Sequence, residues 1–298
     1  MMAGVGTARR VFLSKLYGLG ILVACAGVLV AHAAVGDADR NRILSIGGSV
    51  TEIIFALGEQ DRLVARDTTS SFPLAAKDLP DVGYMRSLSP EGVLSVNPGL
   101  ILAEEGSGPP ETIAVLEAAD IPFYFIPDNY SKAGIINKIR KVGEVLEVEN
   151  RAETLIALVS ADLDAAIQRS QDRPDAARKR VLFILSTKGG RILASGLNTA
   201  ANGILEMAGA RNAVTEFEGY KPLTDEAVSA VAPDVILMMA RGDNHSASND
   251  ALFEMPAIAT TPAAQTRSVV RMNGLYLLGF GPRTAAAITD LSTALYGP

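Results

Sequence analysis

The sequence has little of the side-chain chemistry on which many enzymes depend. Its 298 residues include no tryptophan, one cysteine and two histidines. Cys25 and His32 lie near the start of the chain, so the remainder has a single histidine, His245, and neither a thiol nor a disulfide. That remainder also contains no HxxEH-type metal motif, no GxSxG motif and no second histidine for an acid–base relay. We therefore expect that the protein is not an enzyme.

An excess of positive charge is absent as well. The chain has 27 Lys and Arg against 33 Asp and Glu, which gives a net charge of −6 and a pI near 5.1. Nucleic acid is therefore not an expected partner. Its composition, 48% hydrophobic and 20% charged, is typical of a packed globular protein, and the length allows two domains.

Residues 1–33 are predicted to form a secretory signal peptide. Basic residues precede an apolar run from Leu16 to Val30, and the small residues of AHAA follow, with cleavage expected after Ala33. No later segment has the roughly 18 apolar residues that a membrane span needs. We expect a mature chain without a membrane span. The stretch LVAC leaves lipid anchoring at Cys25 as an alternative.

The rest of the chain alternates between short apolar strands and helices, which predicts an α/β fold with parallel sheets. Ser49 and Glu52 have the spacing of a capping box, and Asn198 is the predicted cap of a later helix. Residues 131–171 break the alternation with apolar residues three or four apart, which predicts a long helix at about 150–171. The second half repeats the pattern of the first. We predict two similar Rossmann-like lobes, at 34–130 and 175–298. A helical linker at 131–174, which contains the one long helix, joins them. A ligand cleft is expected between the lobes.

One motif occurs in both halves. LSPEGVLSVNPGLIL is followed about 130 residues later by LTDEAVSAVAPDVIL. Ser89 and Thr224 are the predicted N-caps, which places Glu91 and Glu226 at the second helical position. A carboxylate there is stabilised by the helix dipole by about 0.3–1 kcal/mol. The dipole accounts for one such glutamate but not for its presence in both halves.

Longer motifs carry a resemblance to a known family. DTTSSFPLAAKDLPDVGYMRSLSPEGVLSVNP, GGRILASGLNTAA and MMARG resemble the haem-uptake subgroup of the periplasmic solute-binding proteins of ABC importers, and the resemblance covers residues 42–298. It implies a monomer in the periplasm that carries haem in the cleft. It also implies that Glu91 and Glu226 pair with arginines on the two subunits of an ABC permease dimer. A ferric siderophore or cobalamin is the alternative ligand.

The chain departs from that subgroup at the iron ligand. Where the subgroup has a tyrosine in Thr-Ser-x-Tyr-Pro, this sequence has TSSFP, and the ring of Phe72 cannot bind iron. Phe72 stacks on the porphyrin while another side chain binds iron, or the ligand is a different hydrophobic chelate, or haem is held without a protein ligand. His245 and Tyr84 are the candidate donors, although a surface histidine and a cleft-wall tyrosine fit the same pattern. Met85 and Met239 are softer donors.

Haem also carries two propionates, and basic residues in the predicted cleft loops suit these carboxylates. Arginine offers a planar fork that matches a carboxylate, although each cation alone is also consistent with a solvated surface charge. The predicted ligand-binding residues at the cleft are the cations Arg86, Lys188, Arg191 and Arg241 and the hydroxyls of Thr68 and Thr69. The glycine pairs Gly47–Gly48 and Gly189–Gly190 are expected to allow tight turns, not to bind phosphate.

Overall fold

The computed structural model describes residues 40–172, 174–240 and 248–298, which form two α/β lobes and two helices between them. The predicted signal peptide, Arg241 and His245 lie outside these residues. In the part of the chain described, no helix combines the length and the apolar character that crossing a membrane requires.

The first lobe is built on a four-stranded sheet in the order β2-β1-β3-β4. All of its strand pairs are parallel, as predicted. The central strand β1 is buried along its whole length, because helices cover both faces of a parallel sheet. The elements are β1 (Ile43–Ile46), α1 (Gly48–Ala56), β2 (Leu63–Arg66), α2 (Pro90–Leu94), β3 (Leu100–Glu104), α3 (Pro110–Glu117) and β4 (Phe123–Ile126). Short 3-10 turns lie at Gln60–Arg62 and Leu74–Asp78.

Two helices connect the lobes, α4 (Lys132–Val145) and α5 (Glu149–Gln171). The long helix predicted at 150–171 is confirmed as α5, whose 23 residues span about 35 Å. Its buried residues, which include Ile156, Val159 and Leu163, recur every three or four positions and form one face. That face belongs to a single hydrophobic core that also contains residues of both lobes. The lobes are therefore not joined by a flexible hinge alone.

The second lobe contains a mixed sheet in the order β10-β9-β5-β6-β8, with β7 beside β5. Its strands are β5 (Arg180–Ser186), β6 (Ile192–Ser195), β7 (Arg211–Asn212), β8 (Tyr220–Leu223), β9 (Val235–Ala240) and β10 (Val269–Asn273). Strands β10, β9 and β5 are parallel, whereas β6 is antiparallel to β5 and β8. The turn between β5 and β6 is too short for a parallel crossover. Gly189 and Gly190 have φ values of 68° and 75°, which allow the predicted tight turn.

The helices of the second lobe are α6 (Ala200–Met207), α7 (Asp225–Val231), α8 (Asn249–Phe253), α9 (Pro256–Ala259), α10 (Pro262–Gln265), α11 (Gly274–Leu278) and α12 (Thr284–Tyr296), with 3-10 turns at Asp175–Ala177 and Lys188–Gly190. The cap predicted at Asn198 is wrong by one residue. Thr199 caps α6, because its hydroxyl accepts a hydrogen bond from the amide of Asn202 at 3.0 Å.

The repeated motif has the same local structure in both lobes. Ser89 accepts a hydrogen bond from the amide of Gly92 at 3.0 Å, and Thr224 accepts one from Ala227 at 3.2 Å, so both predicted caps are confirmed. The residue before the proline that follows each helix is left-handed, with φ of 47° at Asn97 and 42° at Ala232.

The capping box predicted from Ser49 and Glu52 is wrong. Helix α1 begins at Gly48, and its N-cap is Gly47, with φ of 109° and no side chain as a cap. Both predicted capping residues instead contact distant parts of the chain, Ser49 with Glu104 and Glu52 with Arg283. Long-range contacts have replaced the local pairing that the spacing indicated.

Candidate functional site

Loops at the carboxyl ends of the parallel strands of both sheets meet at the boundary between the lobes. Gly48 follows β1, and a β-carbon there would lie 2.5 Å from Leu275 Cδ1 in α11 and 2.7 Å from the carbonyl oxygen of Thr69. Gly48 therefore permits the close approach of the second lobe, in addition to the turn that the sequence predicts. This edge is where open α/β sheets bind ligands.

The loop after β2 is held by Asp67, which is completely buried. Its carboxylate accepts hydrogen bonds from the amides of Gly47 and Thr69, both at 3.0 Å, and from the Ser70 hydroxyl at 2.8 Å. The Thr69 hydroxyl accepts a further bond from the Gly48 amide at 2.9 Å. The backbone that leads to Phe72 is therefore fixed by a satisfied buried carboxylate.

Phe72 belongs to a group that crosses the lobe boundary, the Arg283 cluster (Glu52, Phe72, Tyr276 and Arg283). The Arg283 guanidinium carbon lies 3.5 Å from the ring centroid of Phe72 and 5.1 Å from that of Tyr276. Its Nε and Nη2 donate to the two carboxylate oxygens of Glu52 at 3.0 and 2.8 Å. One face of Phe72, the ring predicted to stack on porphyrin, is thus covered by an arginine of the second lobe.

A second group, the Lys138 cluster (Ser49, Glu104, Asp128 and Lys138), is buried beside the first. The ammonium of Lys138 donates to Asp128 Oδ1 at 2.6 Å, to Ser49 Oγ at 3.0 Å and to the Gly279 carbonyl at 3.3 Å. It also lies 3.7 Å from the Glu104 carboxylate. Burial raises the pKa of Glu104 above its ordinary value even though Lys138 acts in the opposite direction.

Phenols surround a further arginine in the Arg86 cluster (Tyr84, Arg86, Tyr130 and Tyr220). Arg86 Nη1 donates to the Tyr84 hydroxyl at 3.2 Å, and the Tyr84 side chain is 44% exposed. Burial lowers the pKa of Arg86, but the Tyr84 phenol and other neighbours raise it more. Burial, followed by the nearby Asp128 carboxylate, raises the pKa of Tyr130 to about 12, and burial also raises the pKa of Tyr220.

This arrangement can be compared with known proteins. A family model described as periplasmic binding protein matches residues 43–274. The chain belongs to the periplasmic binding protein family.

Known structures resemble this periplasmic binding protein over most of its length. The periplasmic heme-binding protein BhuT in complex with two hemes is 40% identical, covers 85% of this chain and 97% of its own, and superposes with a TM-score of 0.80. For the periplasmic heme-binding protein RhuT from Roseiflexus sp. RS-1, in apo form, the identity is 39%, the coverage is 86% and 97%, and the TM-score is 0.81. Among relatives found by sequence, a vitamin B12-binding protein of Vibrio campbellii is 23% identical over 89% of this chain and 92% of its own.

The predicted site residues of this periplasmic binding protein fall into separate groups. Tyr84 and Arg86 are together, and Phe72 lies in the Arg283 cluster. Lys188 and Arg191 are exposed in and beside the turn between β5 and β6.

The hydroxyl of Thr68 donates to Asp81 Oδ1 at 3.2 Å, so this predicted ligand group already has a protein partner. Glu91 and Glu226 are exposed at the second positions of α2 and α7, as predicted. Arg241 and His245 lie outside the described residues, so their predicted roles stay predictions. Across residues 40–172, 174–240 and 248–298, no group of three or more His, Cys, Asp or Glu is arranged to hold a metal ion.

Several residues of these clusters were not predicted from the sequence. Tyr130 follows β4 and Tyr276 follows β10, so the carboxyl-end rule, applied to every strand, would have indicated both. Tyr220 opens an antiparallel strand that the sequence did not reveal. For Arg283 no local signal exists, since its carboxylate partner Glu52 is 231 positions away.

Proposed function

We propose that this protein captures haem between its two lobes and delivers it to an ABC permease. The observation that carries the proposal is the gathering of aromatic rings around two arginines at the lobe boundary, in a chain with only nine phenylalanines and seven tyrosines. Flat rings suit the face of a macrocycle, and guanidinium groups suit its propionates. The likeness to BhuT and RhuT, both named as heme-binding proteins, supports the same ligand.

Tyr84 is the proposed iron donor among the described residues. An anionic oxygen suits Fe(III), and the Arg86 guanidinium donates to this hydroxyl, so a positive charge lies where that anion would form. Tyr130 and Tyr220 suit the role less, because their raised pKa values disfavour the phenolate. His245 remains the alternative donor from the sequence. Lys188, Arg191 and Arg241 remain candidates for the propionates.

Delivery is proposed to use Glu91 and Glu226, which project from equivalent helix starts on the two lobes. Hydrogen bonds with its own backbone amide and with Thr224 lower the pKa of Glu226, so this exposed side chain stays ionised. Exposed charges of this kind set the rate and register of a transient complex more than its strength. The protein acts as a monomeric carrier outside the cytoplasm and catalyses no reaction.

A titration of the purified protein with haemin tests the proposal. We expect a saturable Soret band whose position changes in Tyr84→Phe and is unchanged in the control Tyr124→Phe, a tyrosine on β4 outside the Arg86 cluster. His245→Ala distinguishes the alternative donor, since a change only in that variant assigns the iron to the histidine. The absence of saturable binding in the unaltered protein would reject haem as the ligand.

A cobalamin is the second candidate ligand, because the Vibrio campbellii relative is named as a vitamin B12-binding protein. Both ligands are large metal macrocycles and suit the same aromatic boundary. Competition between haemin and cyanocobalamin separates them. We expect haemin to bind and cyanocobalamin not to displace it, and the reverse result would establish the second candidate.

A further inference from the structure

We propose that Arg283 is a positioning residue that holds the ring of Phe72 and the second lobe in fixed relation, and so sets the orientation of bound haem without touching the iron. Only the statement about haem rests on the proposed function. The contact between Arg283 and Phe72 belongs to the protein alone and is tested without ligand.

Arg283 connects the two lobes through a hydrogen-bonded ion pair with Glu52. Glu52, in α1 of the first lobe, is almost completely buried and accepts two hydrogen bonds from the Arg283 side chain and a third from its backbone amide at 3.2 Å. Arg283 immediately precedes α12, so the carboxylate also lies at the amino end of a helix of the other lobe, where negative charge is stabilised. The planar guanidinium fork fixes the direction of approach of the two lobes.

The same guanidinium also contacts two aromatic rings. With its edge bound to Glu52, the Arg283 guanidinium has its face free for the ring of Phe72 at 3.5 Å, and Tyr276 lies 5.1 Å from the same carbon. The planar guanidinium of arginine stacks on aromatic faces, whereas the compact, strongly hydrated ammonium of lysine has no planar face with which to stack. Phe72 is 38% exposed, so its remaining surface is available to a ligand.

The contact with Arg283 controls the orientation of the Phe72 ring and not the position of its backbone. The loop before Phe72 is fixed by the buried Asp67 carboxylate, so the backbone position does not depend on Arg283. Among the ring and cation contacts of the described residues, the ring of Phe72 has one, with the face of the Arg283 guanidinium. This contact defines the orientation of the ring. Loss of stacking therefore frees the ring, while a lysine at 283 still pairs with Glu52.

The chain supplies a matched control within one lobe. Arg267 lies over the ring of Phe253 at 5.1 Å and pairs with the carboxylate of Asp250. This is the same combination of an arginine, an aromatic ring and an acid, but all of its members belong to the second lobe. Arg267→Lys therefore makes the same substitution in a similar but more exposed group, without altering a contact between the lobes.

The first experiment uses the absence of tryptophan from the sequence. Phe72→Trp gives a protein with a single tryptophan, whose acrylamide quenching is measured without ligand. We expect that adding Arg283→Lys increases the quenching constant and shifts the emission to longer wavelength, whereas adding Arg267→Lys changes neither. Equal quenching in the two double variants would overturn the proposal.

The second experiment follows haemin bound to the protein with Phe72 intact. Arg283→Lys and Phe72→Leu are each expected to change the induced circular dichroism of the Soret band, and the double variant is expected to match Phe72→Leu alone, because without the ring Arg283 has nothing to orient. Additive changes, or an unchanged signal in Arg283→Lys, would overturn the role in haem orientation. A protein that fails to bind haemin rejects the proposed function and leaves the tryptophan experiment as the test of Arg283.

Discussion

The ammonium nitrogen of Lys138 lies 2.6 Å from Asp128 Oδ1, although no part of the lysine side chain is accessible to solvent. Glu104 is 3.7 Å away and has its own pKa raised by burial, so one buried cation serves two carboxylates. The third hydrogen bond of the lysine reaches the Gly279 carbonyl in the second lobe. This cluster therefore stabilises the first sheet and its contact with the other lobe together.

Replacing Lys138 with methionine is expected to lower the free energy of unfolding by about 3–5 kcal/mol, because it leaves two buried carboxylates without their cation. Lys132 is the control. It belongs to the same helix and lies 2.6 Å from Asp164, but that pair is exposed, so Lys132→Met should cost no more than about 1 kcal/mol. Urea unfolding measures both, and equal losses would contradict the role of burial.

The raised pKa of Glu104 predicts a specific dependence of stability on pH. A carboxyl that holds its proton more tightly in the folded state contributes stability below its unfolded pKa, and this contribution is lost as pH rises through the folded value. The unaltered protein should therefore lose stability relative to Glu104→Gln as the pH is raised from about 4.5 through the folded pKa. Urea unfolding of both proteins across that range measures the difference. A difference that does not vary with pH would contradict the raised pKa.

The sequence was most informative where structure depends on neighbours along the chain. Ser89 and Thr224 cap their helices as predicted, because a cap needs only the amide three residues later. Ser49 and Glu52 have equally suitable spacing, yet they contact Glu104 and Arg283, since these distant partners outweigh a local bond. Likewise, the pattern of β6 did not reveal its antiparallel direction, which follows from the length of the preceding turn.

Restoring tyrosine at position 72 tests whether the cleft still accepts the iron ligand of the related subgroup. Phe72→Tyr is expected to give a tyrosinate-type haem spectrum, because the loop backbone is fixed by Asp67 and Phe72 is 38% exposed. The spectrum should persist when Tyr84→Phe is added. Phe125→Tyr is the control, since Phe125 is 37% exposed on β4 of the same lobe. The absence of a tyrosinate-type spectrum from the double variant with Tyr84→Phe, in which Tyr84 cannot supply the signal, would show that the ring at 72 does not reach the iron.

Exchange of Glu91 and Glu226, the glutamates proposed to dock, for lysine tests delivery separately from capture. In Glu91→Lys with Glu226→Lys, we expect permease-dependent haem uptake to be lost while haemin affinity is unchanged, because both side chains are exposed at helix starts and belong to none of the three clusters at the lobe boundary. Each change also removes a carboxylate from a helix amino end, which lowers the stability of that helix. Glu111→Lys controls for that cost, since Glu111 is exposed at the same second position of α3, after a proline as Glu91 is. Loss of uptake in this control as well would assign the effect to helix stability, and normal uptake in the double variant would exclude the two glutamates from docking.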